Sequence, residues 1–366
     1  MSLKVLIIPD KFKGTLTARQ AAEAMARGWR KSRPRDTLEL LPMTDGGDGF
    51  GEIIGGLLRA KVRSVATVDA AHRPCRVQWW WEPRSKTAVI ESAGVIGLAG
   101  LPQKKFHPFE LDTFGLGAVV RAAVKKGAVR CLIGIGGSAT NDAGFGLARA
   151  LGWNFLDRRG NPITRWTQLD LLTIVQPPRR TRWFSKIIVA VDVRNPLLGA
   201  RGCSRVYGPQ KGLTPEDFPH AEACLRRLAA VLEQRLHRDF AREPGAGAAG
   251  GLGFGLASFL GAQLRPGFEL FAQKAKLNQR LRRTDLVITG EGAMDASTFM
   301  GKGVGEIARL CLKLKIPCIG LAGQITSRHK KPFSTQRSLT KLTSQENARQ
   351  RPAYWLERLA AQVAKD

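Results

Sequence analysis

A recurring mixture of residues appears at separate points in this chain: glycine, small hydroxyl side chains, one or two acids and, in places, lysine. The segments read PDKFKGT (Pro9–Thr15), TDGGDG (Thr44–Gly49), GGSATND (Gly136–Asp142), DVRNPLLG (Asp192–Gly199), GAGAAGGLG (Gly245–Gly253), TGEGAMDAST (Thr289–Thr298) and GKG (Gly301–Gly303). These parts suit phosphoryl transfer. Glycine lets backbone N–H groups come close to phosphate oxygens, and a following helix N-terminus adds a favourable dipole. Lysine neutralises phosphate charge, and carboxylates hold Mg²⁺ or orient an attacking hydroxyl. Any one of these segments alone reads as an ordinary turn. Their shared composition and shared place at strand ends carry the reading.

Competing chemistries lack their signatures. There is no G-x-x-x-x-G-K-[ST] loop and no convincing dinucleotide fingerprint. The histidines (His72, His107, His220, His237 and His329) are scattered, and Ser138 does not stand in the G-x-S-x-G pattern of a nucleophile elbow. Six cysteines stand apart with no C-x-x-C pair, and Cys131, Cys311 and Cys318 sit in apolar runs as small core residues. The formal charge of +28, from 58 basic and 30 acidic residues, raises nucleic-acid binding as a reading from another class. The cations are spread along the whole chain, without a basic arm, zinc-finger spacing or RNP-type aromatics. A surface that attracts anionic substrates is the preferred reading, and a nucleic-acid partner is not expected.

The elements that position these segments alternate. Residues 3–9 read as a buried strand, followed by a helix with Thr17 as N-cap and Ala21, Met25 and Trp29 on one apolar face. LELLPM (Leu38–Met43) is a second strand. SVATVDA and RVQWWWE form an antiparallel pair, with Trp79, Trp80 and Trp81 as hairpin packing, and TAVIESA follows as a strand. A helix from Thr113 to about Lys126 closes at Gly127, and a strand Arg130–Ile135 leads into GGSATND. A further helix ends at Gly152. KIIVAVDV (Lys186–Val193), TDLVITGEG (Thr284–Gly292) and IPCIGLAG (Ile316–Gly323) are strands, with a helix through Val304, Ile307 and Cys311 before the last. Such alternation predicts an α/β fold with largely parallel sheets, in which ligands gather at the carboxyl ends of strands. A chain of 366 residues with 43% hydrophobic content predicts two domains. Ser327–Arg351 reads as the least ordered stretch. No apolar run reaches membrane-spanning length and no signal-peptide pattern opens the chain, so a soluble cytoplasmic protein is expected.

Taken in order, IIPDKFKGTLTA, LPMTDGGDG, ESAGVIGL, GIGGSATNDAGFG, DVRNPLLGARG with YGPQKG, GAGAAGGLG, and DLVITGEGAMDAST with GKG resemble the bacterial glycerate kinase family of the glycerate/glucarate catabolic type. The resemblance spans Ile7 to Gly303. It implies ATP-dependent phosphorylation of D-glycerate, typically at the 2-hydroxyl. It also implies two α/β domains, one flavodoxin-like and one restriction-endonuclease-like, with the site in the cleft and one domain inserted in the other. The boundaries expected are 1–75 with 285–366 for the discontinuous domain and 76–284 for the insert, so that the strands of Leu3, Val287 and Cys318 share a sheet.

Within this reading Asp192 and Asp45 are the candidate proton acceptors for the glycerate hydroxyl. For Asp192 the alternative is an aspartate tying down the Asn195-Pro196 turn. Gly136, Gly137, Ser138, Thr140 and Asn141 are expected to line the phosphate or glycerate pocket, with Asn195 and Gly290 beside the ligands. Lys13, Lys211 and Lys302 are expected to steady phosphate oxygens or the glycerate carboxylate. Glu291 and Asp295, with Asp48 as a third option, are expected to hold Mg²⁺. The sequence departs from the family at Lys11, where a small residue is usual, at Ala293, where arginine is usual, and at Ser297, where glutamine is usual. Arg194, Arg201 or Lys11 could supply the missing cation. A glycerate 3-kinase and an anion-binding relative without turnover are the alternatives.

Overall fold

Short apolar runs between amphipathic helices build two sheets. In a computed structural model that describes residues 2–102, 105–299, 303–326 and 332–366, the chain opens with β1 (Lys4–Ile7) and β2 (Thr37–Leu40). It continues through β3 (Lys61–Val68), β4 (Pro74–Glu82), β5 (Thr87–Glu91), β6 (Arg130–Gly134), the small hairpin β7 (Asn154–Leu156) and β8 (Ile174–Gln176), β9 (Lys186–Val191) and β10 (Gln263–Pro266). It ends with β11 (Leu286–Met294), β12 (Cys318–Ile325) and β13 (Thr335–Ser338). Two compact units result. A terminal unit combines residues 1–45 and 271–366, and a middle unit holds residues 46–270.

The division falls at 45/46 and 270/271 rather than at the expected 75/76 and 284/285. β3 pairs antiparallel with β4, so residues 61–75 travel with the middle sheet. The Gly46 carbonyl also accepts from Gly136 N at 3.0 Å within the middle unit. At the other boundary Arg280 pairs with Glu39 of β2, which ties that segment to the terminal unit.

In the terminal unit five parallel strands run in the order β13-β12-β11-β1-β2, and the strands of Val5, Val287 and Cys318 share this sheet. β1, buried along Val5–Ile7, is a short continuous apolar run, as a strand covered on both faces requires. Helix Ala18–Ser32 begins at a capping box in which Thr17 Oγ1 accepts from Gln20 N and Gln20 Oε1 accepts from Thr17 N. Ala21, Met25 and Trp29 are buried on its inner face. Helix Pro352–Val363 packs so closely on it that a Cβ on Gly28 would lie 2.0 Å from the Glu357 carbonyl oxygen. The basic stretch read as least ordered holds, in its described part, β13 and helix Gln345–Gln350.

The middle sheet has the order β10-β9-β6-β5-β4-β3. Its first four strands are parallel, and β4 and β3 extend it antiparallel. The tryptophan run packs both faces of β4. Trp79 and Trp81 enter the core, while the Trp80 ring occupies the space a Cβ would take on Gly51 and Gly55. All six cysteines are free thiols, five of them buried.

Candidate functional site

In the terminal unit the chain leaves β1 toward β2 on one side, and β11 leads to β12 on the other. The crevice outside the carboxyl ends of β1 and β11 is therefore a topological switch point, where ligands of open parallel sheets bind. Backbone bonds bring three segments together there. Asp10 N donates to Gly290 O at 2.8 Å, and Met43 N donates to Pro9 O at 3.0 Å. Gly292 has no side chain where the Phe12–Lys13 backbone passes, with Lys13 N 3.1 Å from the position of a Cβ. The carboxyl of Asp10 is pushed up to about 8. Burial is the main cause, the neighbouring charges of Asp45 and Glu291 add to it, and the Lys11 peptide N–H and ammonium oppose it. Glu291 is buried and its Oε1 accepts from Thr298 Oγ1 at 2.6 Å, while Asp295 N donates to the same hydroxyl at 3.1 Å.

Of the residues singled out in the sequence, Asp45, Glu291, Asp295, Gly290 and Lys13 belong to this unit. Sequence reasoning passed over Asp10, which stands in the PDKFKGT segment at the end of a strand, and Thr298, which joins two of the named acids. Lys13 is exposed on the loop that follows Asp10. Lys302 and the side chain of Ser297 lie outside what the structure describes. Ala293 is a strand residue paired with Gln324.

In the middle unit three glycine segments pack backbone on backbone. A Cβ on Gly136 would meet Gly47 Cα at 2.6 Å, and one on Gly137 would meet Asp48 Oδ1 at 2.6 Å. A Cβ on Gly250 would meet Thr140 O at 1.9 Å. Glu91, at the end of β5, accepts from Gly49 N and Gly51 N at 2.9 Å each and so fixes the TDGGDG turn, a role no local signal announces. Asp48 is exposed and lies against Gly137, in a different unit from Glu291 and Asp295.

Within GGSATND the side chains bond to one another and to neighbouring elements. Ser138 Oγ lies 3.0 Å from Thr140 Oγ1 and accepts from Thr140 N at 3.1 Å. Asn141 Nδ2 donates to Ser204 Oγ at 2.9 Å, and its Oδ1 is buried without a partner. Asp142 is fully buried and accepts from Thr113 N, Thr113 Oγ1 and Gly146 N at 2.7–2.9 Å, with Gly144 N at 3.3 Å. Its carboxyl is pushed up to about 6, by burial first and by Asp112 second. Lys211 is not an open surface cation: it is buried, and its Nζ donates to Thr140 O at 2.7 Å.

Asp192 is exposed at the end of β9. Burial raises the Tyr207 hydroxyl to about 12, with the charge of Asp192 contributing. Tyr207 in turn donates to Asn195 Oδ1 at 2.7 Å, and Asn195 Nδ2 donates to Arg201 O at 2.8 Å, so Asn195 braces its own loop.

Among the described residues no three His, Cys, Asp or Glu side chains form a ready metal cage. The Glu291 carboxylate, and Asp295, whose backbone N–H meets the same Thr298 hydroxyl, carry donors of the kind Mg²⁺ takes. That ion is commonly held by one or two carboxylates, with phosphate oxygens and waters completing the octahedron.

Comparison with known proteins agrees with this architecture. Residues 5–366 match the model of the glycerate kinase family. A glycerate kinase of Halalkalibacterium halodurans is 36% identical over 336 residues, covering 90% of this chain and 87% of that protein. A glycerate 2-kinase of Escherichia coli is 36% identical over 329 residues, covering 88% and 86%. A crystal structure provisionally assigned as glycerate kinase 2 of Salmonella typhimurium LT2 superposes with a TM-score of 0.83 at 33% identity, covering 100% of this chain and 98% of that one.

Proposed function

The chain belongs to the glycerate kinase family, and from that premise we propose that it transfers the γ-phosphoryl group of ATP to the 2-hydroxyl of D-glycerate. The product is 2-phosphoglycerate. The observation that carries the reading is the gathering of Asp10, Asp45 and Glu291 beside the Lys11–Lys13 loop, at the strand ends where the order of the sheet reverses. The naming of a relative as a glycerate 2-kinase supports the 2-position. The terminal unit is read as flavodoxin-like, supported by its strand order 2-1-3-4-5 in the unit's own sequence. The middle unit is read as restriction-endonuclease-like on family resemblance. No described helix is long and apolar enough to cross a membrane, and an ATP-consuming enzyme of a small acid belongs in the cytoplasm.

In this reading the glycerate hydroxyl attacks the γ-phosphorus, the bond to the β–γ bridging oxygen breaks, and the hydroxyl proton passes to a carboxylate. Asp192 is that acceptor. Asp45 shapes the charge around Asp10, and Lys13 steadies phosphate oxygens. Gly136 and Gly137 offer backbone to the ligand, and the hydroxyl network of Ser138 and Thr140 holds their loop. Glu291 and Asp295 would hold Mg²⁺, which when bound draws negative charge off the phosphate oxygens.

A coupled assay of ADP release tests the activity. ADP should appear only with ATP, Mg²⁺ and D-glycerate together. ADP release indifferent to glycerate contradicts the proposal, and ligand-induced thermal stabilisation without any ADP favours an anion-binding relative.

A further inference from the structure

Lys211 ends the turn Pro209–Lys211, which follows helix Cys203–Tyr207. Two glycines set that turn. A Cβ on Gly208 would lie 2.1 Å from Ser204 O, and Gly212 has φ +112°. The lysine side chain consequently runs inward with 7% of its surface exposed. Its ammonium donates to Thr140 O at 2.7 Å, and the carboxamide of the next residue, Asn141, has a buried Oδ1 without a partner. Taking an ammonium out of water is costly, and well-packed apolar side chains of similar volume often serve stability as well or better. Packing alone therefore gives no reason for this cation. A trans peptide is planar, with its carbonyl and N–H pointing opposite ways. Pinning the Thr140 carbonyl points the Asn141 N–H the opposite way and fixes the orientation of the Thr140–Asn141 peptide within the loop.

We infer that Lys211 is a positioning residue for phosphoryl transfer, which clamps the Thr140–Asn141 peptide from behind and touches neither substrate. The inference rests on the reading of the Gly136–Asn141 loop as part of a glycerate kinase site, and it replaces the expectation that Lys211 contacts a ligand. Burial brings the ammonium down to about 8, against the opposing pull of Cys203 from helix Cys203–Tyr207 and Asp142 from the loop. Glu222, from helix Phe218–Leu236, acts on the same Cys203. The clamp is accordingly charged at neutral pH and loses its charge above about pH 8.

Lys211→Met keeps length and burial and removes the charge and the donor. A clamp acting on groups that serve the transition state predicts kcat lower by about 10–100-fold with both KM values within about twofold. The wild-type alkaline limb near pH 8 should be absent from the variant. Hydrogen exchange of residues 136–142, followed without any substrate, should be roughly tenfold faster in the variant. Should the variant not fold, the same exchange in the wild type, corrected for intrinsic rate, should accelerate between about pH 7 and about pH 9. A raised KM with kcat retained would make Lys211 a direct ligand and overturn the inference. Unchanged kcat together with unchanged exchange would also overturn it. If the wild type does not phosphorylate glycerate, the functional reading fails by itself, while the exchange measurement still decides whether Lys211 clamps the loop.

Discussion

At the scale of single residues, Asp192 and Asp142 separate chemistry from support. Asp192 is exposed and is the proposed acceptor of the substrate proton, so Asp192→Asn should lower kcat by about 10²–10⁴-fold with little change in glycerate KM. Steady-state kinetics with near-normal kcat would remove it from the chemistry. Asp142 is buried under its donors, and Asp142→Ala should cost about 2–4 kcal/mol in urea unfolding because those N–H and O–H groups lose their acceptor. Its folded value, about 6, lies above the ordinary 3.8. Below 3.8 both folded and unfolded forms are protonated, and between 3.8 and about 6 the folded form holds more protons. Stability from this group is thus present in acid and lost as pH rises through about 6. The stability difference between wild type and Asp142→Asn should shift across that window, and a flat difference would contradict the assignment. Asp10 escaped sequence reading because its charged neighbours, Asp45 and Glu291, come from distant strands. Lys211 was expected to contact phosphate or the glycerate carboxylate because a lysine beside a glycine gives no local sign of burial.

At the scale of elements, the kinked start of helix Ala248–Leu260 is the most demanding piece. Ala249, Gly250 and Gly251 all have positive φ, and Gly250 passes directly over the Thr140 carbonyl. Gly250→Ala should destabilise the protein by roughly 2–4 kcal/mol and lower kcat together with it, since a Cβ there must displace the GGSATND loop. A thermal melt and a kinetic profile matching wild type would show that the two segments do not depend on each other. The antiparallel β3–β4 pair and helix Ala18–Ser32 were legible, because alternation and 3.6-residue spacing are local signals. Thr17 was legible as an N-cap for the same reason. The GAGAAGGLG segment was legible as a glycine loop but not as a helix start, because left-handed residues inside a helix are imposed by the contact with Thr140. Helix Pro352–Val363 was missed although Leu356, Leu359, Ala360 and Val363 form a buried face, because its partner, helix Ala18–Ser32, lies at the other end of the chain.

At the scale of the whole molecule, two α/β units account for the length, and +28 distinguishes the surface. The α/β alternation announced parallel sheets. It could not announce that residues 46–75 travel with the middle unit, because strand pairing between β3 and β4 decides that. Both proposed substrates are anions, so the positive field should lower the apparent KM for glycerate, and raising salt from about 0.01 M to about 0.15 M should raise KM several-fold as the Debye length falls from about 30 Å to about 8 Å. A KM indifferent to salt would leave the charge without a role in substrate capture. The central claim is that the acids at the β1 and β11 strand ends and the glycine loop after β6 serve phosphoryl transfer to glycerate. Phosphorus NMR of the products from ATP, Mg²⁺ and D-glycerate tests it most directly. The account predicts one new phosphomonoester, with the coupling pattern of 2-phosphoglycerate, formed in step with ADP. A spectrum with no phosphoester, or with the phosphate on the 3-oxygen, would contradict it.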